Sequence, residues 1–252
     1  MDRLGEFGFI RRVTRDLPQG GALVGTGDDC AVLPPGDAPW LVSCDASVEG
    51  VHFRLDWCTP RDAGWKAAAG AISDIAAMGG VPRYMLAAVA APPSRLEDEL
   101  AAFCAGIAEA AERFGAALVG GDVTRSPGPL FSDISVLGSA PGGRYLKRSG
   151  ARAGDALAVT GWPGRAAAGL DALANGVDAP VLTTAQMRPE PRLAQGRWFA
   201  AHAGVHAAID LSDGLAQDAG HIAERSELAV ALRGDWLPRD PEIERFEARL
   251  PK

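Results

Sequence analysis

A chain of 252 residues with 47% hydrophobic and 23% charged residues has the balance of a globular protein of one large or two ordinary domains, which excludes global disorder. Lys and Arg number 25 against 32 Asp and Glu, a formal charge of −7, so nonspecific nucleic-acid or anionic-membrane binding is a poor fit. If the substrate is a phosphate, something cationic has to stand between it and the protein.

In chain order, Met1-Asp2-Arg3-Leu4-Gly5-Glu6 has no basic stretch leading into an apolar core, and the longest apolar run, Tyr84 to Ala91, is far too short for a membrane span. A soluble, cytoplasmic protein is expected. The cysteines Cys30, Cys44, Cys58 and Cys104 form no CxxC pair, which favours reduced thiols over a zinc site or a disulfide scaffold. Trp40 to Val42 reads as a strand. Thr59 caps a predicted helix with Pro60 at its first position and Asp62 closing a capping box, running to Met78-Gly79-Gly80. Ser94 and Glu97 form a second box before Leu96, Leu100, Phe103, Ile107, Ala111 and Phe114, with Gly115 as the terminal cap. Ala116–Val119 then reads as a buried strand ending at Gly120-Gly121-Asp122, and Leu130–Leu137 as another. Beyond Gly142-Gly143, strands are predicted at Asp155–Thr160, Val205–Asp210 and Leu228–Leu232. Helices are expected from Gly164 to about Asn175, from Pro191 to about Gly204 and from Gly214 to Arg225. A boundary near 140–150 gives two α/β units.

The informative pattern is where the aspartates fall. Asp28-Asp29 follow Gly25-Thr26-Gly27, Asp45 follows an apolar strand, and Asp74 interrupts the apolar helix stretch Ala71–Met78. Asp122 ends a buried strand, Asp210 ends Val205–Ile209, and Asp213 lies at a helix start. Such positions face the crevice where open α/β sheets bind ligands. Like charges ~4 Å apart repel by about 1 kcal/mol in water and about 4 near a protein surface, so a converging cluster needs divalent cations. Hard oxygen donors without Cys or His point to Mg²⁺, which shares its coordination with substrate phosphates. Taken singly, an aspartate at a strand end is more often a cap or turn former than a ligand; an unpaired Asp74 within an apolar helix is costlier to dismiss, though Arg83 is available to pair with it.

Other motifs are weaker. There is neither GxGxxG nor a P-loop, and Gly161-Trp162-Pro163-Gly164 reads as a plain turn sooner than as a phosphate-binding helix start. Arg148 lies in the basic patch Arg144–Arg152 and suits a phosphate or a solvated face. His52 has no partner at catalytic spacing and reads locally as structural. Ile72-Ser73-Asp74-Ile75 weakly echoes Leu211-Ser212-Asp213-Gly214, as a duplicated fold would.

Taken together, Gly5-Glu6-Phe7, Gly25-Thr26-Gly27-Asp28-Asp29-Cys30-Ala31, Ser43-Cys44-Asp45, Val48-Glu49-Gly50-Val51-His52-Phe53, Ser73-Asp74-Ile75-Ala76-Ala77-Met78-Gly79, Gly120-Gly121-Asp122-Val123-Thr124-Arg125, Arg148-Ser149-Gly150-Ala151, Arg188-Pro189-Glu190-Pro191-Arg192 and Ile209-Asp210-Leu211-Ser212-Asp213-Gly214 resemble the thiamine-monophosphate kinase family. They follow the family's order over nearly the whole chain. The resemblance implies two α/β domains of the aminoimidazole ribonucleotide synthetase-like type. Residues 1–145 would form an N-terminal domain for metal and ATP binding and for homodimerisation through a β-barrel, and 146–252 a C-terminal domain. It implies transfer of the ATP γ-phosphoryl group to thiamine monophosphate, directly and in line, with no protein nucleophile. Several Mg²⁺ ions would be held by Asp29, Asp45, Asp74, Asp122, Asp210 and Asp213, with Ser43 and Cys44 assisting, the latter through its backbone carbonyl. Gly121, Asp122, Arg148 and Ser212 would contact ATP. His52 would contact thiamine monophosphate, overriding its local reading.

The chain departs from the family at Cys44, Ala46-Ser47 and Ala71, and ends at Arg249-Leu250-Pro251-Lys252 without the family's Gly-Gly-Glu-Asp-Tyr-Glu-Leu motif. The second domain is therefore expected to be incomplete. Two other readings stay open: an ATP-dependent enzyme of the same superfamily with a different acceptor, and a non-catalytic nucleotide- or metal-binding remnant.

Overall fold

A computed structural model describes residues 12, 15–18, 21, 36–95 and 97–249. The Gly5-Glu6-Phe7 and Gly25–Ala31 motifs, with Asp28, Asp29 and Cys30, lie outside the described residues, as does Leu96.

A four-stranded sheet forms from β1 (Trp40–Val48), β2 (Val81–Ala91), β3 (Ala117–Arg125) and β4 (Phe131–Ser139), in the order β1-β4-β2-β3. β4 runs antiparallel to β1 and β2, while β2 and β3 are parallel. Helices α1 (Pro60–Ala77) and α2 (Glu97–Arg113) cover one face, α2 being the crossover that parallel pairing of β2 and β3 requires. The α1 cap forms as expected: Thr59 Oγ1 accepts the Asp62 N–H at 3.1 Å. In α2, Leu100, Phe103, Ile107, Ala110 and Ala111 form the buried stripe. The helices meet at Gly64 and Gly106, where a β-carbon would come within 2.0 Å of the Phe103 carbonyl oxygen and 1.9 Å of that of Arg61. Below them Ile72, Ile75, Met85, Phe103, Ile107, Ile134 and Val136 are essentially fully buried, each contributing about 1.5–3 kcal/mol.

Two boundaries differ from expectation. Asp45 lies inside β1, and β3 continues through Gly120-Gly121-Asp122 to Arg125, because these residues pair in register with Leu86, Ala87 and Ala88. Among the described residues no helix packs on the opposite sheet face. Val42, Leu137, Tyr84 and Ala117 form one row across it, and Trp40 packs beside Tyr84 with centroids 6.2 Å apart.

The C-terminal part supplies helices α3 (Arg165–Asn175), α4 (Pro180–Met187), α5 (Leu193–Ala201), α6 (Leu215–Arg225) and α7 (Pro241–Glu247). Helix α4 was not foreseen. Ala172, Leu182 and Phe246 join α3, α4 and α7 in a small core, and Arg165 pairs with the buried Asp240 at 2.6 Å. This part docks on the sheet–helix unit through α5, whose Gly196 lies so close to α1 that a β-carbon would be 2.0 Å from the Ala76 carbonyl oxygen. Arg188 completes the joint. It pairs with Asp62 at 3.0 Å and with Glu109, and it stacks on Trp65 at 4.2 Å.

The strands expected at Asp155–Thr160, Val205–Asp210 and Leu228–Leu232 do not form among the described residues. These stretches have no regular ladder partner; the bond from Ala208 N–H to the Lys147 carbonyl, 3.0 Å, is isolated. β propensity alone does not make a strand where no neighbouring edge satisfies the backbone. Leu157, Leu228, Val230 and Leu232 consequently stay exposed.

Candidate active site

Strand alternation decides which side chains of β1 reach the helices. Ser43 and Asp45 share the face of the buried Leu41, whereas Cys44 points the other way. Ser43 Oγ donates to Asp74 Oδ2, linking β1 to α1. The Asp45 carboxylate lies over Gly70 of α1, where a β-carbon would be 2.7 Å from Oδ2. Asp74 thus leaves an apolar helix because a hydroxyl and a second carboxylate await it. Arg83 is not its partner; that guanidinium donates to Ser139 Oγ at 3.1 Å.

Asp210 joins this pair from the loop before α6. Burial, then the charge of Asp74, pushes the Asp210 carboxyl above the ordinary carboxylate range, against a bond from Ser73. Asp45 is raised in the same way, by burial first and Asp74 next, with Asp210 adding to it. Among the described residues none of the three forms an ion pair with Lys, Arg or His. Asp45, Asp74 and Asp210, with Ser43 and Ser73, are therefore a set of hard oxygen donors with no ion-pair partner among the described residues. That donor chemistry fits Mg²⁺.

Asp74 and Asp210 open onto a cavity of about 490 Å³, with Ser43 in its wall. Lys147, Arg148 and Arg225 also line it. None of these three cations is paired with a carboxylate among the described residues. The basic patch read from sequence is thus divided by function. Arg144 is structural, donating to the Ala200 and Val205 carbonyls at 2.6 and 2.9 Å, while Lys147 and Arg148 face the cavity.

The remaining expected site residues lie elsewhere. The Cys44 thiol bonds Asp133 at 3.0 and 3.1 Å, which pushes it up, and it stands on the sheet face away from the carboxylate set. The period of the strand turns the Cys44 side chain away from Asp45, so assistance there falls to the backbone carbonyl, as the resemblance implies. Gly121 shares a row with Asp45, through Ile134 and Ala87, but on the opposite edge strand. Asp122, one residue on, faces away from the helices and is exposed, its Oδ1 accepting the Val123 N–H at 2.9 Å. Ser212 and Asp213 are exposed on the loop before α6, and Asp213 accepts from Gln217 at 3.0 Å. Asp213 lies near Asp218 and His221, yet the Asp218 carboxylate is already bonded to three backbone N–H groups.

His52 occupies a tight turn after β1. Its Nδ1 lies 3.0 Å from the Val48 N–H and must accept it, so the ring proton of the neutral form is on Nε2. Lys66 donates to the His52 carbonyl at 3.0 Å, and Arg95 pairs with Glu49 at 2.6 Å, bracing the turn at both ends. His52 is close enough for its charge to oppose the rise of the Asp45 carboxyl.

Comparison with known proteins adds the family. Residues 27–140 match the family described as AIR synthase related protein, N-terminal domain. A thiamine-monophosphate kinase of Mycobacterium tuberculosis is 39% identical over 242 residues, 95% of this chain and 72% of that protein. The chain belongs to the thiamine-monophosphate kinase family. The crystal structure of the thiamine-monophosphate kinase from Stenotrophomonas maltophilia superposes with a TM-score of 0.82 at 35% identity, covering 95% of this chain and 77% of that one. A structure of AaThiL complexed with AMPPCP and TMP gives a TM-score of 0.80 at 28% identity, covering 100% and 80%. Both carry the mixed α/β architecture of this thiamine-monophosphate kinase family member.

Ser73, Gly70, Lys147 and Arg225 escaped the sequence reading as site residues. The first three had signals: Ser73 adjoins Asp74, Gly70 is an interior helix glycine, and Lys147 adjoins Arg148. Arg225 had none, since only the fold brings the end of α6 to the cavity.

Proposed function

We propose that the chain transfers the γ-phosphoryl group of ATP to thiamine monophosphate, giving thiamine diphosphate. The observation that carries this reading is the cavity lined by Asp74 and Asp210 together with Lys147, Arg148 and Arg225, on a chain of this family. The ATP analogue and TMP held by AaThiL support the same pair of substrates here.

Asp45, Asp74 and Asp210 would hold Mg²⁺, with Ser43 and Ser73 orienting the carboxylates. Asp29, Asp122 and Asp213 are the further ligands that the family pattern suggests, and Gly121, Asp122, Arg148 and Ser212 the ATP contacts. Bound there, Mg²⁺ neutralises phosphate charge as the phosphoryl group moves. The chain's own cations in the cavity meet the nucleotide's phosphates, Arg148 as a planar donor and Lys147 and Arg225 as supporting charges. The acceptor is a phosphate oxygen already ionised at neutral pH, so no protein base is needed and transfer is direct. His52 presents Nε2–H to thiamine monophosphate, fixed in that tautomer by Val48. Residues 1–145 and 146–252 act as the two domains. The sheet face opposite α1 and α2 pairs with a second copy, supported by the exposure of Trp40, Val42 and Leu86. Among the described residues no helix is long and apolar enough to cross a membrane.

Incubation with ATP, Mg²⁺ and thiamine monophosphate, followed by mass analysis, tests the reading. Thiamine diphosphate is the expected product. Phosphorylation only of another acceptor, or nucleotide binding without turnover, overturns it, and an acid-stable acyl phosphate trapped on an aspartate overturns direct transfer.

A further inference from the structure

Helix α6 carries a fastener at each end. At its start, Gly214 supplies no side-chain cap. Asp218, only 1% exposed, does so from inside the first turn: its Oδ2 accepts the N–H groups of Ser212, Asp213 and Gly214 at 3.1, 3.2 and 3.0 Å. A buried carboxylate with three donors on one oxygen leaves the loop few backbone alternatives. At the other end Ser226, the residue after α6, accepts from Gly150 and Ala151 N–H at 3.2 and 3.1 Å and donates to the Arg148 carbonyl at 3.3 Å. One side chain therefore holds the Asp210–Gly214 loop, and another the Arg148–Ala151 loop. The eleven-residue helix between them is a rod of about 16 Å. Its last residue, Arg225, lines the cavity together with Arg148 and Asp210.

We propose that Asp218 and Ser226 are positioning residues that fix the carboxylate loop and the cationic loop, which meet at the bond from the Ala208 N–H to the Lys147 carbonyl, where both line the nucleotide cavity. This rests on the kinase reading above. Neither side chain touches the reacting groups. Asp218 acts through the backbone of Ser212, Asp213 and Gly214, and Ser226 through Arg148.

The test uses the full chain, calorimetric binding of Mg·AMPPCP and steady-state kinetics. Asp218→Ala is expected to weaken Mg·AMPPCP binding and raise KM for Mg·ATP about 10–100-fold, as loss of a ligand-orienting group does. KM for thiamine monophosphate should stay within about twofold. Asp218→Asn, which keeps one acceptor oxygen, recovers part of the loss. Ser226→Ala weakens nucleotide binding about tenfold, and Ser226→Thr restores it. Amide exchange at residues 212–214 accelerates in Asp218→Ala and not in Ser226→Ala. If Asp218→Ala does not fold, Asp218→Asn and Ser226→Ala decide. Wild-type binding of Mg·AMPPCP by both overturns the proposal. The kinase reading fails separately: a wild-type chain that binds Mg·AMPPCP but makes no thiamine diphosphate refutes it, while the variants still report on positioning through binding.

Discussion

The carboxylate of Asp45 rests on Gly70, at a point where a β-carbon would stand 2.7 Å from Oδ2. Gly→Ala inside a helix ordinarily stabilises it by about 1 kcal/mol. Here the new methyl meets the end of a movable side chain, so the helix survives and the carboxylate shifts. Gly70→Ala is expected to keep or raise the melting temperature while weakening Mg²⁺ binding about tenfold. Calorimetry against thermal scans separates the two effects; unchanged metal affinity would place Asp45 outside the metal set.

The raised carboxyls of Asp45 and Asp210 make a pH prediction of definite sign. Both hold protons more tightly in the folded chain than in the unfolded one, where the ordinary value is 3.8. Their stabilising contribution is present below that value and is lost as pH rises through the folded values, so metal-free protein carries the repulsion at neutral pH. Mg²⁺ removes it only where the carboxylates are ionised. The melting-temperature gain on adding Mg²⁺ should therefore be larger at pH 7.5 than at acid pH, and Asp210→Asn should raise the metal-free melting temperature by about 2–4 °C for each kcal/mol recovered. Taking the difference with and without Mg²⁺ cancels groups of opposite behaviour, such as Glu109, held low by Arg61 and Arg188.

Arg188 joins the two parts of the chain through Asp62, Glu109 and the Trp65 ring. Arg188→Ala should cost about 1–3 kcal/mol, combining lost charge-assisted bonds with a lost stacking contact. Arg188→Lys should recover only part, because an ammonium cannot bridge two carboxylates and lie flat on an indole at once. Denaturant titration of the three proteins checks the ranking.

Val42 is 70% exposed on the row that continues through Leu137 to Tyr84. If a second copy covers this face, Val42→Glu should halve the mass measured by light scattering while leaving the far-UV spectrum intact. Equal masses for both proteins would remove the homodimer reading.

The sequence foretold the helix-covered sheet best, because local signals there agree with packing. Thr59 and Asp62 cap where expected, and the α2 stripe falls on the spacing read from Leu100, Phe103 and Ile107. The site was legible as a list of aspartates, though not as a geometry. Strand period put Ser43 and Asp45 together and turned Cys44 and Asp122 away, and that parity depends on where each strand lies and continues. Asp218 and Ser226 were invisible for a different reason. Their partners are backbone N–H and carbonyl groups, which every sequence carries and no motif marks. The strands expected after residue 150 failed because apolar alternation reports a tendency, while ladder bonds require a neighbour.

Those bare stretches around residues 155–160, 205–210 and 228–232 carry a practical consequence. Main-chain groups without ladder partners are open to deuterium and to proteases, so this half should exchange and be nicked first, ahead of the sheet beneath α1 and α2.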